Sequence, residues 1–188
     1  MSAEEALPES TGTWLLKLAR GVVEAAAAGR PDPAVESDRP DVQEHRGAFV
    51  TLHRRGQLRG CIGTFVADEP LWQVVREMAR SAAMSDPRFV PVSERELPET
   101  DIEISVLSPL RKTDNPLSLE LGVHGIYIRR GFQSGTFLPQ VATECNMTKE
   151  EFLSSCCAHK AGLPADAWKY PETEVYLYTA QIFKEKAD

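Results

Sequence analysis

The strongest candidate for chemistry is Cys61, which stands in the run LRGCIGT at residues 58–64. A thiolate is a nucleophile and a redox group, and a nearby guanidinium favours thiolate over thiol. If this run forms a strand, Arg59 and Cys61 lie on one face. Gly60 and Gly63 would then let a substrate approach the backbone, with Gly63 free to adopt a positive φ. The alternative is a small buried cysteine beside a β-bulge.

Two other residues could act together with a thiol. His124 lies between glycines in the run GVHGI, just before a predicted strand, where a loop would expose its ring. Imidazole titrates near neutral pH, so His124 could be a general base or a partner of a thiolate, or else a turn histidine bonded to the backbone. Glu103 is the acid within a strongly apolar strand, and it points either to solvent or into a polar pocket.

Other kinds of site find little support in the sequence. There is no C-x-x-C pair and no H-x-x-x-H, so no metal site is predicted and no cofactor is indicated. The phosphate-binding loop patterns and the G-x-S-x-G elbow are also missing. Nucleotide-driven and serine-hydrolase functions therefore lose support.

Composition limits the class of protein and its surroundings. The length of 188 residues predicts one domain, and the net charge of -7 argues against nonspecific binding to nucleic acid or anionic membranes. An acidic start and the lack of a long apolar run predict a cytoplasmic location. In that compartment we expect reduced thiols at all four cysteines, namely Cys61, Cys145, Cys156 and Cys157.

The first half of the chain changes from helical periodicity to period two and back again. Apolar spacing predicts a helix over residues 11–28, capped by Thr11, and then an exposed connection over 30–46. A β-hairpin over 47–64 follows, with its turn near Gly56. A second amphipathic helix begins near Pro70 and ends before the Asp-Pro pair at residues 86–87.

The second half repeats part of this order. The predicted elements are a strand over 101–107, hairpin arms over 125–130 and 135–138, a helix over 148–162 and a last strand over 174–183. Strict β-α-β alternation is absent, which favours an α+β fold with a mostly antiparallel sheet flanked by helices. Each hairpin is followed by a helical stretch, which suggests two degenerate β-α repeats.

Six stretches together closely resemble the AMMECR-type domain family, known in bacteria and archaea as AmmeMemoRadiSam system protein A. They run in family order across residues 12–184, which leaves residues 1–11 and 185–188 as predicted flexible termini. The six stretches are LRGCIG (58–63), DPRF (86–89), IEISVLS (102–108), GVHGI (122–126), FLPQV (137–141) and KAGLP (160–164).

This resemblance implies a single domain with a curved, barrel-like sheet flanked by helices and arranged as two related halves. It adds Gln140 to Arg59, Gly60 and Gly63 as candidate binding residues. It also implies genomic association with a Memo-type protein, itself similar to extradiol dioxygenases, and with a radical SAM protein. One departure is the segment at 145–147, where relatives often have an aromatic residue.

Two functions follow as hypotheses. The first is a cysteine-dependent enzyme that acts on a small molecule or a modified group in a pathway with Memo-type and radical SAM proteins. Cys61 would be its nucleophile or redox thiol, His124 its acid or base and Glu103 an orienting carboxylate, with Arg59 as an anion or thiolate stabiliser. The second is a noncatalytic binding or adaptor domain for those partners.

Overall fold

In a computed structural model, which describes residues 6–35, 37–65 and 68–185, the chain forms helices and two four-stranded, mostly antiparallel sheets. The expected α+β class is confirmed. The described residues divide into two compact units. The N-terminal unit contains residues 6–107 and 181–185, and the C-terminal unit contains residues 108–180. No helix in these ranges has the length and apolarity needed to cross a membrane.

The N-terminal unit is built on a sheet with two long helices, the first and third of the chain, packed on one face. Its helices are α1 (Glu9–Ala27), α2 (Pro40–Gln43) and α3 (Leu71–Met84), and a 3-10 helix spans Glu94–Glu99. Its strands are β1 (Ala48–Arg54), β2 (Gln57–Thr64), β3 (Thr100–Leu107) and β8 (Ala180–Lys184). The strand order is β2-β1-β3-β8, so β2 and β8 are the edge strands.

Alternation along β1 and β3 gives this sheet one core face. Apolar side chains of that face pack with the buried stripes of α1 and α3, and burial of each large aliphatic side chain stabilises the fold by about 1.5–3 kcal/mol. The strand residues of the core face are Ala48, Val50, Leu52, Ile102, Ile104 and Val106. Residues between them, such as Thr51 and Glu103, lie on the opposite face.

The C-terminal unit has its own sheet and its own core. Its strands are β4 (Arg111–Thr113), β5 (Gly125–Arg130), β6 (Gln133–Phe137) and β7 (Glu174–Tyr178), in the order β4-β7-β5-β6. Its helices are α4 (Pro139–Glu144) and α5 (Lys149–Cys156), and a π-helix continues over Cys157–Ala161. Cys156 and Cys157 are buried in this core, and burial raises the pKa of both thiols.

The two units repeat one topology. Each contains a hairpin, then one or more helices, then a strand that pairs antiparallel with the first arm of the hairpin, namely β3 with β1 and β7 with β5. The fourth strand of each sheet comes from the chain segment that follows the third strand of the other sheet. The repeat that the sequence suggests is thus present in the topology.

Three expectations need correction. The last strand, expected over 174–183, is two strands in different sheets. Thr179 between them accepts a hydrogen bond of 2.9 Å from the backbone N–H of Ser108, and its own N–H donates to the Ser108 hydroxyl at 3.0 Å. The described strands form two sheets and no closed barrel. The first helix begins at Glu9 with Pro8 at its N-cap, and Thr11, expected to cap it, lies inside the helix, where its hydroxyl binds Asp41 of α2.

The predicted flexible termini fall partly on residues 1–5 and 186–188, which lie outside the described residues. Within the described part, Leu7 is buried and its backbone exchanges hydrogen bonds of 2.7 and 2.9 Å with the Gln181 side chain. Glu185 forms an ion pair with Arg20 of α1. Both described ends are thus held to the N-terminal unit.

Candidate functional site

Cys61 lies on β2, directly opposite Thr51 of β1 and on the sheet face away from the helices. Its thiol is half-buried, and Sγ accepts a hydrogen bond of 3.2 Å from the Thr51 hydroxyl. The backbone N–H and C=O of Cys61 point away from β1, so the two residues form a non-hydrogen-bonded pair, whose side chains approach closely. The hairpin therefore places a donor against the sulfur.

The outward-pointing backbone of Cys61 is bound by two side chains that follow α3. The N–H of Cys61 donates to Oδ2 of Asp86 at 2.8 Å, and Nη2 of Arg88 donates to the Cys61 carbonyl oxygen at 3.1 Å. Since β2 is an edge strand, these bonds replace the missing neighbour strand. They also fix the position of the thiol.

Asp86 and Arg88 form an ion pair that is buried on the carboxylate side. Asp86 is 4% exposed and accepts from the Arg88 backbone N–H at 3.1 Å, from Nε at 2.9 Å and from Nη2 at 2.7 Å. The Arg88 guanidinium, helped by the Cys61 N–H, holds the pKa of Asp86 far below its usual range in spite of burial. The Asp86 carboxylate raises the pKa of Arg88, and Cys61 adds to that rise.

We call Thr51, Cys61, Asp86 and Arg88 the Cys61 cluster. The Thr51 hydroxyl donates to the sulfur, and the guanidinium of Arg88, held by Asp86, donates to the carbonyl oxygen of the same cysteine. The arrangement therefore holds a partly accessible thiol in a defined position.

Arg59, the expected anion or thiolate stabiliser, is engaged elsewhere. Leu52 pairs with Gly60 and His53 pairs with Leu58, so Arg59 is the extra residue of a β-bulge. Its guanidinium binds Glu96 at 2.9 and 3.3 Å and the Val90 carbonyl at 2.9 Å. Arg59 lowers the pKa of Glu96 to about 2.

The two glycines beside Cys61 make room for protein groups. A Cβ at Gly60 would collide with the carbonyl oxygen of Ala82 in α3. A Cβ at Gly63 would collide with the ring of Phe49, and among the described glycines Gly63 is not one with a positive φ. Close packing of α3 and of Phe49 thus accounts for both glycines.

Glu103 shares the sheet face of Cys61 but is two strands away. Thr51 pairs with Cys61 on one side and with Glu103 on the other, so the strand spacing separates the backbones of Cys61 and Glu103 by about 10 Å. Glu103 is 9% exposed, and its carboxylate pairs with Nζ of Lys184 at 2.8 Å. Among the described residues, the carboxylate of Glu103 therefore pairs with Lys184 and not with Cys61.

His124 and Gln140 belong to the C-terminal unit. Nδ1 of His124 accepts a hydrogen bond of 2.9 Å from the backbone N–H of Glu120, and the N–H of His124 returns one of 2.9 Å to the Glu120 carbonyl. His124 is thus a turn histidine bonded to the backbone, which was one of the two expectations for it. Because Nδ1 accepts this bond, Nε2 is the ring nitrogen that remains for other partners. Oε1 of Gln140, in α4, is buried without a partner among the described residues. A shared catalytic role for Cys61 and His124 stays a prediction.

A cavity of about 990 Å³ lies elsewhere in the N-terminal unit, between α1, the 3-10 helix and β8. It contains no member of the Cys61 cluster, and two of its charged lining residues, Arg20 and Glu185, already pair with each other. Across the described residues, no group of three or more His, Cys, Asp and Glu side chains is arranged to hold a metal ion. We therefore place the candidate site at Cys61.

Reasoning from residue types did not find Thr51, Asp86 or Arg88. Asp86 and Arg88 belong to one of the stretches that carry the family resemblance, but an Asp-Pro pair after a helix is also an ordinary stop signal. Thr51 has no local signal, because its role depends on the pairing register of the hairpin. The spacing of Asp86 and Arg88, two residues apart, could have suggested their ion pair but not their bonds to Cys61.

The fold and this cluster define an α+β protein with a thiol at a sheet edge, and comparison with known proteins supplies the family. The AMMECR1 family matches residues 16–183, so the chain belongs to this family. A protein of Methanothermobacter thermautotrophicus is 44% identical over 186 residues, which cover 95% of this chain and 96% of the relative. Protein NEQ441 of Nanoarchaeum equitans is 43% identical over 178 residues, which cover 91% of this chain and 98% of the relative.

A solved structure agrees with the fold. The crystal structure of the uncharacterised protein PH0010 from Pyrococcus horikoshii is similar, with a TM-score of 0.86 at 36% sequence identity. The likeness covers 96% of this chain and 94% of that one. Both compact units thus lie within a single family domain.

Proposed function

We propose that this protein is a cysteine-dependent enzyme that acts on a small molecule or on a modified group, with Cys61 as the nucleophilic or redox thiol. The observation that carries the proposal is the Thr51 hydroxyl bond to Sγ beside a guanidinium held by buried Asp86. The family resemblance motivates a pathway shared with Memo-type and radical SAM proteins.

The hydrogen bonds of the cluster support the proposal. A hydrogen bond to a charged acceptor is worth about 1.5–3 kcal/mol, and the Thr51 hydroxyl would make such a bond once the thiol ionises. Arg88 adds a positive charge that cannot be lost at ordinary pH. Cys145, exposed at the end of α4, has neither contact among the described residues.

Competition between Cys61 and Cys145 for limiting iodoacetamide at neutral pH tests the proposal in the unmodified protein. Peptide mass spectrometry should find Cys61 alkylated about fivefold faster than Cys145, although Cys145 is more exposed. Buried Cys156 and Cys157 provide the unreactive reference. If Cys61 reacts no faster than Cys145, the enzyme proposal fails.

A second candidate function is a binding or adaptor domain for Memo-type or radical SAM partners. Phe132, fully exposed in the turn between β5 and β6, favours it, since aromatic residues are enriched at protein interfaces. Titration of the purified protein against both kinds of partner separates the two functions. Tight association together with a slow Cys61 would support the adaptor.

A further inference from the structure

Arg88 presents an unused edge beside the reactive sulfur. Its Nε and Nη2 bind Asp86, and Nη2 also binds the Cys61 carbonyl. These hydrogen bonds use Nε and Nη2 of the guanidinium, its charge interacts with the Cys61 thiol, and the side chain is 53% exposed. The Nε/Nη2 edge of the guanidinium is therefore fixed by protein, while the Nη1 edge belongs to a side chain that solvent reaches.

Other arginines of this unit are either shielded or farther from Cys61. Nη1 of Arg59 also lacks a partner within the described chain, but it is shielded from solvent. Arg54 and Arg55 lie at the hairpin turn, away from Cys61 along the strands, and both pair with Glu99, while Arg54 also pairs with Glu96. Arg88 is thus the guanidinium of this cluster that a ligand could reach.

Asp86 makes this edge a prepared binding group. A buried carboxylate that accepts three bonds from one arginine holds its guanidinium in place, so a ligand need not immobilise a flexible side chain. Asp86 also offsets part of the positive charge, which makes the attraction for an anion moderate and dependent on direct hydrogen bonds. Guanidinium groups match the oxygens of carboxylates and phosphates.

We propose that the Cys61 site accepts a substrate bearing a carboxylate or phosphate group close to its reacting atom, and that the outward Nη1 edge of Arg88 binds this oxyanion. The inference rests on the proposed function, since it names the substrate class of the same site. In an acidic protein this selectivity must be local, because the net charge of -7 repels anions overall.

The test compares two alkylating reagents of similar size, anionic iodoacetate and neutral iodoacetamide. Each forms an S–C bond to the thiolate and releases iodide, so the ratio of their rates reports anion preference at each thiol. At Cys61 the ratio of iodoacetate to iodoacetamide should exceed the ratio at Cys145 of the same protein by about threefold or more. Arg88→Ala should lower it to the Cys145 value.

Arg80→Ala is the matched control, because it removes the same charge from an arginine that pairs with Asp32. It should leave the ratio unchanged. An equal ratio in the Arg88→Ala and unmodified proteins would overturn the proposal. Should Arg88→Ala fail to fold, inorganic phosphate at constant ionic strength decides in the unmodified protein. Phosphate should slow iodoacetate at Cys61 more than at Cys145, and equal slowing overturns the proposal.

The two proposals fail in different ways. The iodoacetamide rate of Cys61 relative to Cys145 tests whether the thiol is reactive. The ratio of the two reagents tests whether an anion is preferred. A fast Cys61 without anion preference would leave the proposed function standing and remove only the substrate class.

Discussion

The two units share a topology, but equivalent positions on their two sheets carry different side chains with different contacts. Gly60 of β2 and Gly135 of β6 each lie on the second arm of a hairpin, where an added Cβ would strike the backbone of the helix packed there. Aligning the hairpins on these glycines places the row Cys61, Thr51 and Glu103 of one sheet on a row in the other sheet. That second row is Thr136, Tyr127 and Tyr176.

The corresponding row of the C-terminal unit is occupied by aromatic packing and by hydroxyl hydrogen bonds, including one that the Tyr176 hydroxyl accepts from Arg129. The Thr136 hydroxyl bonds to the Ile126 carbonyl at 2.8 Å and to the Tyr178 hydroxyl at 3.0 Å. The rings of Tyr127 and Tyr176 lie 6.0 Å apart. Since this unit forms the same sheet without a thiol at that position, the topology does not require the Cys61 cluster.

The largest effect is expected at the glycines that define the comparison. Gly60→Ala and Gly135→Ala should each lower the free energy of unfolding by about 3 kcal/mol, because a helix backbone must move to admit the methyl group. Urea unfolding of the two variants measures both values. A large cost at only one of them would break the proposed equivalence.

Gly21→Ala is the control for this pair. Gly21 lies within α1, where an added Cβ meets only the Pro33 side chain, at 3.3 Å. Alanine also has the higher helix propensity. The variant should keep or slightly raise the free energy of unfolding.

A smaller effect is expected from Asp86→Asn, which removes the carboxylate that binds the backbone of Cys61. The variant should lose about 2 kcal/mol at neutral pH, because a buried acceptor of charged hydrogen bonds is lost. The folded pKa of Asp86 is depressed, so its contribution is present above about pH 4 and is lost as pH falls through the folded value. The gap between unmodified and variant protein should therefore narrow below about pH 4 in urea titrations.

Asp38→Asn, at an exposed position, should show no such pH-dependent gap. A gap at Asp86 that stays constant from neutral to acidic pH would mean that the carboxylate does not depend on its Arg88 and Cys61 bonds. That result would contradict the proposed role of Asp86, which is to hold the backbone of Cys61 through charged hydrogen bonds.

Local patterns predicted most of the fold, because the elements follow local signals. Helix α3 has a complete apolar stripe. Both hairpins have strands with alternating residue types and a turn that contains a glycine. The division of the last strand was not predictable, since an apolar run over 174–183 reads the same whether it serves one sheet or two. That division depends on the partner strands β3 and β5.

The candidate site was predicted only in part, for a similar reason. Cys61 and its glycines have a local pattern, but a hairpin without a bulge would pair Thr51 with Gly60. The bulge at Arg59 moves the pairing by one residue, which sets Thr51 against Cys61 and turns Arg59 toward Glu96. Packing of Gly60 on α3 belongs to tertiary structure and leaves no local signal.

The most direct test of the central claim compares the stability of Cys61→Ala and Thr136→Val in urea. If Cys61 is kept for chemistry, its thiol contributes little to folding, and Cys61→Ala should cost less than about 0.5 kcal/mol, as for a partly exposed position. Thr136→Val should cost about 1–1.5 kcal/mol, because its hydroxyl bonds are lost. A Cys61→Ala cost equal to or above that of Thr136→Val would make the thiol structural and contradict the account.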